Sequence, residues 1–250
     1  MKPHAMSRTG DDMPPTGLST ARAALPGAAA GGRPSGWAVC LDGVAVTVRR
    51  TPVLRDLDLR LPAGAVLGVL GANGSGKTTL LRLLATLAVP SAGRAEVLGH
   101  ELGGPGVPEV RTRIAMVGHL PALYPQLTLA ENLHFVARLT GRSDEAADRA
   151  LAAVGLAGAA ARRAEGCSQG MARRTDLARV LLTEPSLLLL DEVHAGLDHG
   201  AADLVDHLVG QVRARGGTCV LVSHEPERLA GLTDRLVRIV DGRALPEVAR

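Results

Sequence analysis

Eight residues, Gly71-Ala72-Asn73-Gly74-Ser75-Gly76-Lys77-Thr78, follow a continuous apolar run (65–70, AVLGVL) and open a stretch with Leu80, Leu81, Leu84 and Leu87 at helical spacing. The pattern is G-x-x-x-x-G-K-[ST] between a strand and a helix, the setting that a phosphate-binding loop requires. Glycines let the backbone wrap an anion with its N–H groups exposed, and the helix start adds partial positive charge. A lysine brings a point charge to the β- and γ-phosphates, and the hydroxyl after it can ligate Mg2+. Composition singles out the same lysine. Of 28 Lys+Arg only Lys2 and Lys77 are lysine. A chance glycine turn would need neither the flanking elements nor that lone internal lysine. These residues predict a bound nucleoside triphosphate, with Mg2+ at Thr78.

A second apolar run, 187–190, ends in Asp191-Glu192. A carboxylate at the C-terminal tip of a parallel strand beside the loop strand would face the metal, which assigns Asp191 as a metal ligand. Glu192 is placed to polarise an attacking water as a general base. Standing alone, the acidic pair would equally suit the cap of a following helix.

The elements that must hold these residues alternate along the chain. Val44, Val46 and Val48, then Leu57, Leu59 and Leu61, recur every second residue, which predicts strands with one wet face. Residues 65–70, 113–117, 187–191 and 218–223 read as buried strands, with shorter strands at 95–98 and 236–240. Residues 103–108 read as a Gly/Pro loop. Thr128 and Glu131 form a capping box, Ser143 caps an Ala-rich helix, and further helices are predicted over 169–183 and about 200–215. Apolar strands alternating with helices imply a parallel sheet of βαβ units.

Residues 1–36, rich in Ala, Gly and Pro, read as a disordered N-terminal tail, with no basic-then-apolar leader pattern. No run of 18 apolar residues predicts a membrane span. The charge balance is 28 Lys+Arg against 25 Asp+Glu, and the only aromatics are Trp37, Tyr124 and Phe135. A near-neutral body with so few stacking rings gives no support for nucleic-acid binding. Cys40, Cys167 and Cys219 are too far apart for a zinc site and read as reduced thiols, Cys219 in the core.

Further motifs stand in order around the acidic pair. Upstream, Cys167-Ser168-Gln169-Gly170-Met171 opens the helix 169–183 and looks like a variant of an LSGGQ signature. Downstream come Ala195-Gly196-Leu197-Asp198, and His224 after strand 218–223. With the phosphate loop, these residues resemble the ATP-binding cassette of ABC transporters over about 39–243. The resemblance implies an α/β P-loop NTPase fold: a mostly parallel central sheet, an antiparallel β subdomain and a helical signature subdomain at about 120–183, within a nucleotide-binding domain of 37–250. It implies ATP hydrolysis with Glu192 and His224 as catalytic residues, Thr78 and Asp191 at Mg2+, and ATP on residues 71–78 with Thr79. It implies a head-to-tail pair with a second cassette, in which Ser168 and Gly170 of one copy contact the ATP of the other. Integral membrane permease subunits would dock the chain peripherally on the cytoplasmic face.

The sequence also departs from the family pattern. Gln169 stands for the first signature glycine and Met171 for the glutamine. The Q-loop glutamine position falls near His119, which can hydrogen-bond to water or a metal in its place, while Gln126 lies seven residues on. Where an adenine-stacking aromatic is expected the chain has Val48, Arg49 and Arg50. Val193 and His194 replace the usual proline region, and His194 and His199 read as polar loop residues. Gly118-His119, the stretch 123–135 and the SQGM signature are similar to the cassettes of heme exporters of cytochrome c maturation, and drug and polysaccharide exporters of the same branch share parts of this pattern. A soluble ABC ATPase of the iron–sulfur assembly type and a hydrolysis-deficient ATP-binding regulator stand as alternatives to a transport motor. The altered signature and His119 favour the regulator; Lys77, Asp191, Glu192 and His224 favour hydrolysis.

Overall fold

A computed structural model describes residues 36–192, 199–229 and 231–247. The predicted tail, apart from Gly36, lies outside the described residues, as do Val193, His194 and the 195–198 motif. Two sheets carry the strands. The first is antiparallel: β1 (Trp37–Val48), β2 (Thr51–Pro62), β4 (Ala92–Val97) and β5 (His100–Glu101), in the order β2-β1-β4-β5. The second runs β10-β9-β3-β8-β7-β6 and contains β3 (Val66–Leu70), β6 (Ile114–Val117), β7 (Leu187–Asp191), β8 (Thr218–Val222), β9 (Arg235–Val240) and β10 (Arg243–Glu247). It is parallel except for the β9–β10 hairpin.

The apolar runs follow from burial on both faces. Leu67, Val69, Leu187, Leu189, Val220 and Val222 face the cluster shared with the antiparallel sheet and α1 (Lys77–Leu84). The alternate residues Val66, Leu70, Leu188, Leu190, Cys219 and Leu221 face the opposite cluster, which includes residues of α5 (Gln169–Thr183) and α6 (His199–Ala214). Apolar side chains fill both sides of these strands along their middle, and truncating one of these leucines to alanine costs about 2–5 kcal/mol. The same burial pushes the Cys219 thiol up to about 12, so it behaves as a small apolar side chain.

A third cluster gathers α3 (Leu129–Leu139), α4 (Asp144–Ala153) and one side of α5. The capping box forms as the sequence predicts: the Glu131 amide donates to Thr128 Oγ1 at 3.1 Å and the Thr128 amide to Glu131 Oε2 at 2.8 Å. Ser143 Oγ accepts from the Ala146 amide. Just upstream, buried Asn132 reaches back to the carbonyls of Tyr124, Leu127 and Thr128, and Tyr124 meets Phe135 edge-on at 5.3 Å.

Several expectations need correcting. Helix α1 ends at Leu84, so Leu87 is 64% exposed rather than aligned with Leu80, Leu81 and Leu84. The stretch expected to be a Gly/Pro loop passes into a short helix, α2 (Val107–Arg111), with a proline in its first turn. The antiparallel strands are longer than their alternating cores, and Val48 lies exposed at the hairpin end. The sequence reading missed β5, β10 and α7 (Pro226–Leu229).

Candidate functional site

In the parallel sheet Asp191 pairs in register with Val222, and Val222 with Val69. The loops after β7, β8 and β3 therefore leave at one end, the end where ligands collect in such sheets. There a cleft of about 520 Å³ is walled by Asn73, Gly74, Gly76, Lys77, Thr78, Thr79, His119, Asp191 and Glu192, with Val53 from β2. Gly71, Ala72 and Ser75 border a second hollow of about 670 Å³, which shares Val53, Asn73 and Gly74 with the first.

The loop adopts a shape that side chains oppose. Gly71 has φ +152°, and a Cβ there would sit 2.6 Å from Ser75 Oγ and 2.7 Å from the Ile239 carbonyl. Gly76, at φ +112°, begins α1 without a side-chain cap, and no acid occupies the first turn. The N–H groups that a helix start leaves without intrahelical partners therefore keep their pull for an anion. Lys77 is buried, its ammonium donating to the Gly71 carbonyl at 2.8 Å and the Ala72 carbonyl at 3.0 Å. Ser75 Oγ is buried within the loop with no hydrogen-bond partner.

Across the cleft Thr78 Oγ1 donates to Asp191 Oδ2 at 3.0 Å. Burial raises Asp191 above the usual carboxylate range; the Thr78 hydrogen bond opposes that shift, Glu192 adds to it and Lys77 counters it. Two hard oxygens so close together are the donor set that Mg2+ takes, so the residues fit that ion. Glu192 sits in the left-handed region at φ +49°, unusual for a glutamate, with its amide donating to the Val222 carbonyl at 3.0 Å. Its Oε1 lies 3.5 Å from His224 Nδ1, while His224 Nε2 lies 3.5 Å from Glu225 Oε1. His224 itself is not part of the cleft wall and joins the site through Glu192.

Ser168 and Gly170 are elsewhere. Neither lines the cleft of its own chain. Ser168 is the N-cap of α5, accepting from the Met171 amide at 3.2 Å, and a Cβ on Gly170 would meet nothing within 4 Å. Arg49 and Arg50 form the β1–β2 turn with φ of +47° and +67°, both exposed. His119 stands in the cleft wall, whereas Gln126 is exposed and does not line it.

Sequence reasoning missed buried Arg173 and Asp176 and half-buried Arg179, which α5 sets against the β6 end. Their three-residue spacing, one helix face, was the signal that could have found them.

The ABC transporter family profile matches residues 54–195. This chain is an ABC transporter ATP-binding subunit. Its relatives include the daunorubicin resistance ATP-binding protein DrrA3 of Streptomyces coeruleorubidus, 40% identical over 84% of this chain and 67% of that protein. The cytochrome c biogenesis ATP-binding export protein CcmA of Rhodospirillum rubrum is 40% identical over 72% of this chain and 77% of its own length. Among solved structures, the ATP-binding subunit of an ABC transporter superimposes with a TM-score of 0.76 at 25% identity, covering 82% of this chain and 87% of that one. The cassette thus has the P-loop NTPase fold and belongs to a family of ATPases. Among its described residues no helix is long and apolar enough to cross a membrane.

Proposed function

We propose that this cassette binds ATP with Mg2+ in the cleft between the 71–78 loop and Asp191, hydrolyses it, and powers export through separate membrane subunits. The observation that carries the reading is the convergence of Lys77, Thr78, Asp191, Glu192 and, through Glu192, His224 at one end of the sheet. Residues 71–78 and Thr79 cradle the phosphates, and Lys77 leaves the Gly71 and Ala72 carbonyls for the β- and γ-phosphates. Thr78 and Asp191 hold Mg2+, which when bound offsets charge on the phosphate oxygens. Glu192 accepts a proton from water as the water oxygen bonds to the γ-phosphorus. The bond from that phosphorus to the β,γ-bridging oxygen breaks, leaving ADP and phosphate. His224 orients Glu192 and holds the γ-phosphate side.

Because Ser168 and Gly170 lie outside their own chain's cleft, they are assigned to the ATP of a second cassette in a head-to-tail pair. An N–H group at a helix start suits a γ-phosphate. The chain then sits peripherally on the cytoplasmic face through integral membrane permease subunits. Export is supported by the drug-resistance and cytochrome c biogenesis relatives. Gly118-His119, the stretch 123–135 and the SQGM signature support heme as one cargo class, and the daunorubicin resistance relatives support a drug as another.

The test is ATP hydrolysis by the purified chain, alone and with the membrane protein encoded beside it, against Glu192→Gln. Turnover that rises with the partner and vanishes in the variant supports the motor. Binding without turnover in both settings overturns it in favour of the regulator. Stimulation by heme or by a planar drug in the assembled complex separates the two cargo classes.

A further inference from the structure

Arg173 lies on α5 five residues beyond Ser168 and is 6% exposed. Its Nη1 donates to the Gly118 carbonyl and its Nη2 to the His119 carbonyl at 3.3 Å. Six residues on, Arg179 Nη2 donates to the Met116 carbonyl at 2.7 Å, while its Nε holds Asp176 Oδ1 at 3.0 Å. Asp176 is fully buried and its Oδ2 has no hydrogen-bond partner. One face of α5 is thus stitched to the last residues of β6 and the start of the following loop.

This stitching is an expensive way to pack a helix on a strand. An apolar side chain would fill the same space without stripping water from a guanidinium, and burying charge is unfavourable unless its hydrogen bonds are made well. Burial does disfavour the charged form of Arg173; Asp176 and Asp191 favour it only at longer range. The guanidinium meets two consecutive main-chain carbonyls with two separate nitrogens, Nη1 and Nη2, held in one rigid plane, so the pair of bonds fixes direction as well as distance. The second of those carbonyls belongs to His119, whose side chain stands in the cleft wall with Asp191 and Glu192.

We propose that Arg173 is a positioning residue: it fixes the 118–119 main chain so that His119 keeps its place at the cleft, and it passes movement of the first turn of α5 to that wall. The inference rests on reading the cleft as the nucleotide site and Ser168 and Gly170 as the contact for a second copy. Arg173 touches neither nucleotide nor metal. It acts through His119.

Amide hydrogen exchange on the full chain, with and without ATP and Mg2+, tests it in wild type, Arg173→Met and Arg173→Lys. Segment 71–79 reports nucleotide binding and segment 117–121 reports the tether. In wild type both gain protection with nucleotide. In Arg173→Met, 71–79 still responds, while 117–121 exchanges roughly 10-fold faster without nucleotide and no longer responds to it. Arg173→Lys, with one ammonium, is intermediate, and it carries the comparison if the methionine variant does not fold. Unchanged exchange at 117–121 in both variants overturns the proposal. A wild-type chain whose 71–79 segment ignores ATP refutes the nucleotide reading instead, and the nucleotide-free rates at 117–121 still judge the tether. Where turnover is measured, Arg173→Met lowers kcat ~10-fold with KM within ~2-fold, and adding it to His119→Ala causes no further loss. Additive losses show that Arg173 acts independently of His119 and overturn the assignment.

Discussion

The Thr78 hydroxyl donates to Asp191 Oδ2 at 3.0 Å, joining two residues 113 apart in the chain. Through this bond the first turn of α1 and the tip of β7 hold a common edge of the cleft. The carboxylate is kept there against the preference of its surroundings.

That preference has a sign. Burial raises Asp191, so the folded chain binds a proton at this position more readily than the unfolded chain does. Stability from this group is present at low pH and is lost as pH rises from the ordinary carboxylate range through the raised value. Asp191→Asn should therefore melt at or above the wild-type temperature at pH 7, by roughly 2–4 °C per kcal/mol relieved. The advantage should shrink once wild-type Asp191 is protonated in both states. Metal-dependent ATP hydrolysis should disappear at every pH. Paired thermal melts at pH 4 and pH 7 check the sign, and a lower melting point than wild type at pH 7 would contradict it.

Lys77 is enclosed by the Gly71 and Ala72 carbonyls, a space shaped for a compact ammonium. In a chain that uses arginine almost everywhere else, Lys77→Arg should fail nearly as badly as Lys77→Ala, because the planar fork is too wide to turn from carbonyls to phosphate. Titration calorimetry with ATP should show affinity reduced by about 10-fold or more in both variants. Affinity within twofold of wild type for Lys77→Ala would remove the loop as the phosphate site.

Glu192→Gln should bind ATP, lower kcat by roughly 10²–10⁴, and accumulate a dimer on gel filtration with ATP. His224→Ala should lower kcat as well, because Glu192 loses the imidazole 3.5 Å from its Oε1. Full turnover in Glu192→Gln would exclude it as the base.

Ser168→Ala removes the hydroxyl that accepts from the Met171 amide. Loss of such a cap costs about 1 kcal/mol, a drop of roughly 2–4 °C in melting temperature. Equilibrium dialysis should show that the monomer keeps its ATP affinity, while ATP-driven dimerisation in a Glu192→Gln background weakens. Dimerisation at wild-type strength would free Ser168 from the cross-chain role.

How much of this was legible in the sequence depends on range. The phosphate loop, the Thr128–Glu131 box and the helix opening at Ser168 are local patterns, and each has the structure its residues imply. The end of α1 was not legible, because a distant residue sets it: Arg111 donates to Thr86 Oγ1 and the Thr86 carbonyl, and Thr86 turns to φ +60°. Strand β10 hid behind Pro246, which a sheet tolerates at its edge, where β10 lies. Arg173, Asp176 and Arg179 look like a solvated helix face until tertiary packing buries the first two and half-buries the third. Ser168 and Gly170 were found by motif alone, and neither lines the cleft of its own chain.

The left-handed backbone at Glu192 also bears on laboratory selection of this protein. A glutamate held at that angle forgoes stability that glycine or asparagine would recover without strain. A selection for heat tolerance that ignores turnover should enrich those two residues at position 192, yielding hardier proteins that no longer split ATP. Codon frequencies at 192 after such a selection, compared with one demanding both traits, would measure how far durability and catalysis conflict at a single peptide unit.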